Sequence, residues 1–220
     1  MTAQNKPGPG RPVDHDLRAE REEQILAAAT KSFAELGFDR TDLQDVANLI
    51  GVGKGTLYRY FPTKEELFLA AVNRVMDLLG ESIQAEATAE DPLDQLSEAV
   101  RAYLRFFAKH TDFVELIILE RACFKDRAIP TYHKHLEIAM ARWRELFSRL
   151  IDDGRLRSVP PERITDVLSG AVFGAMFSNY LASERRPLED QADSILDIVL
   201  NGIVTLGDTQ RTDIKDEGCS

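Results

Sequence analysis

Apolar residues recur at helical spacing along almost all of this chain, and no stretch alternates apolar with polar positions as a half-buried strand requires. That pattern confines the 220 residues to the all-α class. The breakers agree with it. Pro130, Pro160, Pro161 and Pro187 stand between the periodic stretches, where helices start and stop. The first helix is expected over residues 16–36, with Ile25, Ala28, Ala29, Phe33 and Leu36 forming one apolar stripe. Gly37 can adopt the left-handed backbone that ends such a helix, leaving Phe38 to fold back on its last turn.

Residues 41–61 read TDLQDVANLIGVGKGTLYRYF. Thr41, with Gln44 at capping-box spacing, opens a second helix that Gly51 ends. A third, short helix starts at Gly53 or Lys54 and stops at Phe61, because Pro62 follows. This is a helix-turn-helix layout. Leu43, Val46, Ala47 and Ile50 are the buried side of its first helix, and Val52 and Leu57 bury the second. Lys54, Thr56, Tyr58 and Arg59 are left on the free face. A helix fits the major groove of DNA, and its N-terminal residues reach base edges there. Gly55 allows close backbone approach. Residues 53–64 contain no acid. Thr63 and Glu66 form a second capping box that opens a connecting helix over 63–80, carrying Leu67, Phe68, Ala71, Val72, Val75 and Leu79 inward. Lys64 at that capped N-terminus combines helix dipole with ammonium, an arrangement suited to phosphate.

A break is expected at 80–92. Helices over 93–109, 112–123, 129–153, 161–183 and 189–206 follow, about nine in all. The last helix carries Ile195, Ile198, Val199, Gly202, Ile203 and Leu206 as one stripe. Residues 1–13, dense in Pro and Gly, read as a flexible arm whose Lys6 and Arg11 could reach a phosphate or a minor groove. Residues 209–220 read as a polar tail. The expected division is a helix-turn-helix domain at 14–62, the connecting helix, and a C-terminal domain at 81–208. Aromatic residues crowd that last part. Phe106, Phe107, Phe113, Trp143, Phe147, Phe173 and Phe177 could line an apolar cavity between helices, with a small apolar or amphipathic molecule as its ligand. Ser169, Gly170, Ala171, Gly174 and Ala175 permit close helix approach. The last two helices are therefore expected to form a homodimer surface, unless both stripes simply complete one protomer's bundle.

The stretch GVGKGTLYRYFPTKEEL, preceded by TDLQDVANLI and by a long helix ending in AELGF, resembles the TetR family of bacterial transcriptional regulators over roughly residues 20–75. The resemblance implies a three-helix DNA-binding domain joined to an all-α ligand-binding and dimerisation domain. It places Gln44 at the front of the second helix, near a base or phosphate, and Lys54, Gly55, Thr56 and Tyr58 on the groove-facing side of the recognition helix. It places Arg59, Tyr60 and Lys64 mainly on the phosphate backbone, and makes Thr41 a helix cap lying near phosphate. Gly53 departs from the serine many members carry, so a hydroxyl cap is missing. The function implied is that of a ligand-responsive repressor on a near-palindromic double-stranded operator. The alternative is a regulator, activating or architectural, whose C-terminal half only dimerises.

Other readings are weaker. GVGKGT follows a helix rather than a strand, so it is no dinucleotide fingerprint, and Lys54 precedes Gly55 rather than Ser or Thr, so it is no P-loop. His133 and His135 lie two apart on a helix and point about 200° from each other, too far to share an ion. Cys123 and Cys219 make no CxxC. No cofactor, metal site or catalytic set is expected. The sequence has no apolar run of membrane-spanning length and no signal peptide at its N-terminus, so a cytoplasmic protein is expected. The formal charge of −10 at first opposes a nucleic-acid partner. Its distribution does not. Residues 1–64 hold nine Lys or Arg against nine Asp or Glu, and residues 65–220 hold 18 against 28, so the excess acid lies outside the reading face.

Overall fold

The computed structural model describes residues 15–182 and 186–201. Among them every regular element is a helix: α1 (His15–Leu36), α2 (Leu43–Leu49), α3 (Lys54–Tyr60), α4 (Lys64–Glu86), α5 (Pro92–Lys109), α6 (Thr111–Cys123), α7 (Thr131–Asp152), α8 (Pro161–Leu181) and α9 (Leu188–Asn201). The arm, the tail and the positions Gly202, Ile203 and Leu206 lie outside the described residues.

The chain forms two compact units. The first takes residues 1–82 together with 109–139, and the second takes 83–108 together with 140–220. The division therefore does not follow the chain in two blocks, because α6 and the first turns of α7 pack with the N-terminal segment. In the first unit α1 packs on α2 and α6, and α2 on α3. Its core joins Ile25, Ala29 and Phe33 of α1 to Leu43, Val46 and Ala47 of α2, Leu57 of α3, and Leu67, Phe68, Ala71, Val72 and Val75 of α4. Phe38, Phe68 and Phe124 meet edge to face or tilted, with ring centroids 5.0–5.4 Å apart, an arrangement aromatic quadrupoles favour.

Three sequence expectations are corrected here. Leu36 stands on the open side of α1, and the stripe is completed instead by Leu26, Thr30 and Ser32. Thr30 tolerates burial because its hydroxyl donates to the Leu26 carbonyl at 2.8 Å. α4 runs to Glu86, passing through Gly80 without a break, since one glycine costs a helix interior only about 1 kcal/mol. Ile50 is not a buried position of α2 but its half-buried C-cap.

A buried carboxylate links α6 to α7 within the first unit. Glu120, 1% exposed, accepts the Thr131 backbone N–H at 2.9 and 3.0 Å and the Thr131 hydroxyl at 2.7 Å. Arg127 Nε lies 3.4 Å away as its ionic partner. The carboxylate thus satisfies the free amide at the start of α7 and complements its dipole.

In the second unit α5 buries one broad face, through Leu96, Ala99, Val100, Ala102, Leu104, Phe106 and Phe107, and leaves Arg101 and Arg105 on the other, as an amphipathic helix does. Arg101 pairs with Asp193, Arg105 with Glu86 and Glu189, and Arg155 with Asp91. α8 packs on α9. α9 buries Leu188, Ala192 and Leu196. The Ile195/Ile198/Val199 stripe is not the buried one, for Ile198 is 52% exposed and the other two half-buried.

Candidate nucleic-acid interface

α3, the expected reading helix, is held in place by its neighbours. Gly37 (φ +79°) turns the chain out of α1, and Phe38 stacks on Phe33 with centroids 5.9 Å apart. Gly51 (φ +67°) makes the turn between α2 and α3, a conformation most side chains resist. The Val52 N–H donates back to the Ala47 carbonyl at 3.0 Å. Leu57 is fully buried and is the anchor of α3. Gly53 is the N-cap, with φ −75° and no side-chain cap bond, as its missing hydroxyl requires.

Most of the expected DNA-contacting residues share the outer side of this corner. Gln44, Gly55, Tyr58 (42%) and Arg59 are exposed, and Lys54, Thr56, Tyr60 and Lys64 are half-buried. Among the described residues, and apart from its own helix backbone and chain neighbours, no atom lies within 4 Å of where a Cβ on Gly55 would stand, so packing between elements gives no reason for glycine there. Two guanidinium groups, those of Arg59 and Arg18, each stand 5.8 Å from the Tyr60 ring centroid, which keeps two cations beside α3. Lys64 Nζ stands 4.9 Å over the Phe38 ring and donates to the Asp39 carbonyl at 3.0 Å.

Thr41 is different. The cap of α2 is Asp42, whose Oδ1 accepts the Gln44 N–H at 2.8 Å. Thr41 is 3% exposed, and its hydroxyl serves the Gly37 carbonyl at 2.8 Å and the Ser32 carbonyl at 3.2 Å. The cap assignment is therefore overturned. The hydroxyl is committed to the α1–α2 corner and has no proton left for a phosphate.

Two residues that touch this face escaped the sequence reading. Arg18 joins through Tyr60, and no local spacing signals a residue so far upstream. Asp42 brings an acid to a face that looked purely basic: Lys54 Nζ donates to its Oδ1 at 3.1 Å. The Gln44 N–H first, and then Lys54, hold the Asp42 carboxyl below its ordinary value. The same hydrogen bond raises Lys54.

The aromatic residues proposed for a ligand do not all share one unit. Phe106, Phe107, Trp143, Phe147, Phe173 and Phe177 lie in the second, whereas Phe113 lies in the first, stacked on His110 with centroids 4.7 Å apart. Within the second unit Phe106 meets Phe107 edge on, and Phe173 stacks on Phe177. Trp143 stacks on Phe147. His135 pairs with Asn73 at 3.1 Å, and His133 meets the Tyr132 ring. Among the described residues no helix is long and apolar enough to cross a membrane.

Residues 25–71 match the family model of the bacterial regulatory proteins of the tetR family. The transcriptional regulator RutR of Escherichia coli is 25% identical over 144 residues, 66% of this chain and 68% of RutR. The transcriptional activator FasR of Mycolicibacterium smegmatis is 35% identical over 101 residues, 46% of each chain. The chain spans a smaller share of other curated relatives, 40% of YerO and 27% of YhgD, both of Bacillus subtilis. Among solved structures SmeT, described as the repressor of the Stenotrophomonas maltophilia multidrug efflux pump SmeDEF, superposes with a TM-score of 0.67. It covers 84% of this chain and 91% of its own, at 23% identity. A helix anchored by one leucine, the caps around it and these likenesses lead to one conclusion: residues 25–71 form a DNA-binding domain of the tetR family of bacterial regulatory proteins, and the chain is a DNA-binding transcriptional regulator.

Proposed function

We propose that this regulator is a repressor that binds a near-palindromic operator as a homodimer in the cytoplasm and releases it when a small apolar or amphipathic molecule occupies its C-terminal half. The observation that carries the reading is the outer side of α3, where Tyr58 and Arg59 are exposed and Thr56 is half-buried on a helix fixed through Leu57. Thr56 and Tyr58 are assigned to bases, with Gln44 and Gly55 beside them. Lys54 is placed with them on the groove-facing side, and Arg59, Tyr60 and Lys64 are assigned mainly to phosphates. One short helix makes few base contacts, so a two-fold pair is needed to read an operator. Uncovered apolar residues on α8 and α9 support such a pair: Val167 and Leu181 on one, Ile198 on the other. Among the described residues, and apart from their own helix backbone and chain neighbours, a Cβ at Gly170 or Gly174 would meet nothing within 4 Å, which is compatible with close approach of a second helix. The aromatic content of the second unit supports a ligand there.

The name of FasR favours a second reading, activation, for the same DNA-binding face. Selection of bound fragments from genomic DNA, followed by a reporter placed behind the strongest fragment, separates the two. Repression requires output to rise when the protein is removed, and activation requires it to fall. A thermal-shift screen then seeks the effector, because a true one raises the melting temperature by mass action and releases the fragment. Failure to enrich any fragment overturns operator binding. A compound that stabilises the protein without releasing DNA overturns induction.

A further inference from the structure

We propose that Asp42 is a specificity-determining positioning residue, which ties down the Lys54 ammonium so that Lys54 engages DNA only where a base or phosphate acceptor displaces the carboxylate. The inference rests on the reading of α3 as the DNA-contacting helix.

Asp42 is not a loose surface acid. The oxygen that accepts from Lys54 also caps α2 through the Gln44 N–H, so the cap fixes the carboxylate at the start of one helix and aims it at the start of the next. Lys54 is the first residue of α3, the end of a reading helix that reaches base edges. The pair is exposed, with 39% of the Lys54 side chain and 58% of the Asp42 side chain accessible. An exposed pair of this kind is weak and screened by salt, so a well-placed acceptor on DNA can replace it. Its effect on random DNA is larger than its strength suggests. Sequence-independent binding comes from cations releasing counterions from phosphates, and a lysine already neutralised contributes little to that release. A correctly placed acceptor recovers the lysine; a merely nearby phosphate also meets the carboxylate's repulsion. The device therefore lowers affinity for wrong sequences more than for the right one, which is discrimination by a built-in penalty.

Asp42→Ser tests this, because serine caps as well as aspartate while removing the charge. Binding to a scrambled-sequence duplex and to the strongest genomic fragment is measured from about 50 to about 200 mM salt, in wild type, D42S, K54A and the double variant. On the scrambled duplex, D42S should steepen the salt dependence by about 0.9 per reading head, so that affinity falls about three- to fourfold more per head across that range than in wild type, or about twelvefold more for a dimer with both heads bound. Affinity for the genomic fragment should rise less than affinity for the scrambled duplex, so the ratio of the two falls. In the K54A background the serine change should do nothing further. An unchanged slope in D42S overturns the proposal. So does an equal effect in the K54A background, which would make Asp42 a diffuse repulsive charge. Wild-type protein that binds no duplex at all overturns the DNA-contacting reading itself, and this inference with it. Should D42S melt early, Asp42→Asn, an equally good cap, carries the same comparison.

Discussion

Lys64 faces two tasks, because its ammonium already serves the Phe38 ring and the Asp39 carbonyl while lying beside the reading helix. Lys64→Ala should weaken binding to every duplex and flatten the salt slope by about 0.9 per head, a loss visible in a salt titration with any sequence. A normal slope would confine Lys64 to bracing the corner after α1. Glu120 offers the opposite case, a charge with purely internal work. Its removal leaves the Thr131 amide and hydroxyl unsatisfied in a buried site, so Glu120→Ala should destabilise by about 2 kcal/mol or more in a denaturant titration. Glu120→Gln, which keeps an acceptor oxygen, should cost less. Nothing in the sequence marks Glu120, since its partner Thr131 lies across a loop and on the next helix. Asp42 was missed for a related reason: the pairing crosses from one helix start to the next, and a scan for acids along α3 alone does not see it.

The elements were more legible than their faces. Helix starts and stops depend on local chemistry, so Gly37, Gly51, Pro62 and the Thr63 cap could be read directly, and the Glu66 N–H does donate to the Thr63 hydroxyl at 3.0 Å. Which stripe of a helix is buried depends on what packs against it, and Leu36 and Ile198 show where that information is missing. The turn at Gly51 gives a clean test. A Cβ there would meet no atom, yet φ is +67°, so Gly51→Ala should cost about 1–2 kcal/mol from backbone strain alone. Gly53→Ser, at an ordinary φ, should change stability by only a few tenths of a kcal/mol. Thermal or chemical melting distinguishes the pair. The start of α5 responds to pH. Arg155 first, then the Leu93 N–H, hold the Asp91 carboxyl below 3.8. Its contribution to stability is therefore present above about pH 3.8 and is lost as pH falls through the lower folded value. Asp91→Asn should melt earlier than wild type near neutrality, and the difference should shrink in acid.

At the scale of the whole molecule, the aromatic residues gathered by sequence as one group divide between two compact units, because nearness along the chain is a poor guide to a bundle whose segments interleave. The uncovered stripe on α9 makes the assembly testable. Ile198→Glu should shift the protein toward monomers in sedimentation. It should also weaken operator binding by about 10²-fold or more, the advantage that linking two heads confers. Unchanged sedimentation would return the stripe to one protomer. The interleaving also carries a consequence for manufacture. The unit that bears α3 is closed by Phe124 and by the Glu120–Thr131 link, which a ribosome delivers long after the reading helix itself. At about 5–20 residues per second, a nascent chain spends several seconds with Phe38 and Phe68 lacking their partner ring. Competence to grip the chromosome is therefore acquired late in synthesis, and an interrupted translation product carries the letters of the reading helix without the frame that holds them still.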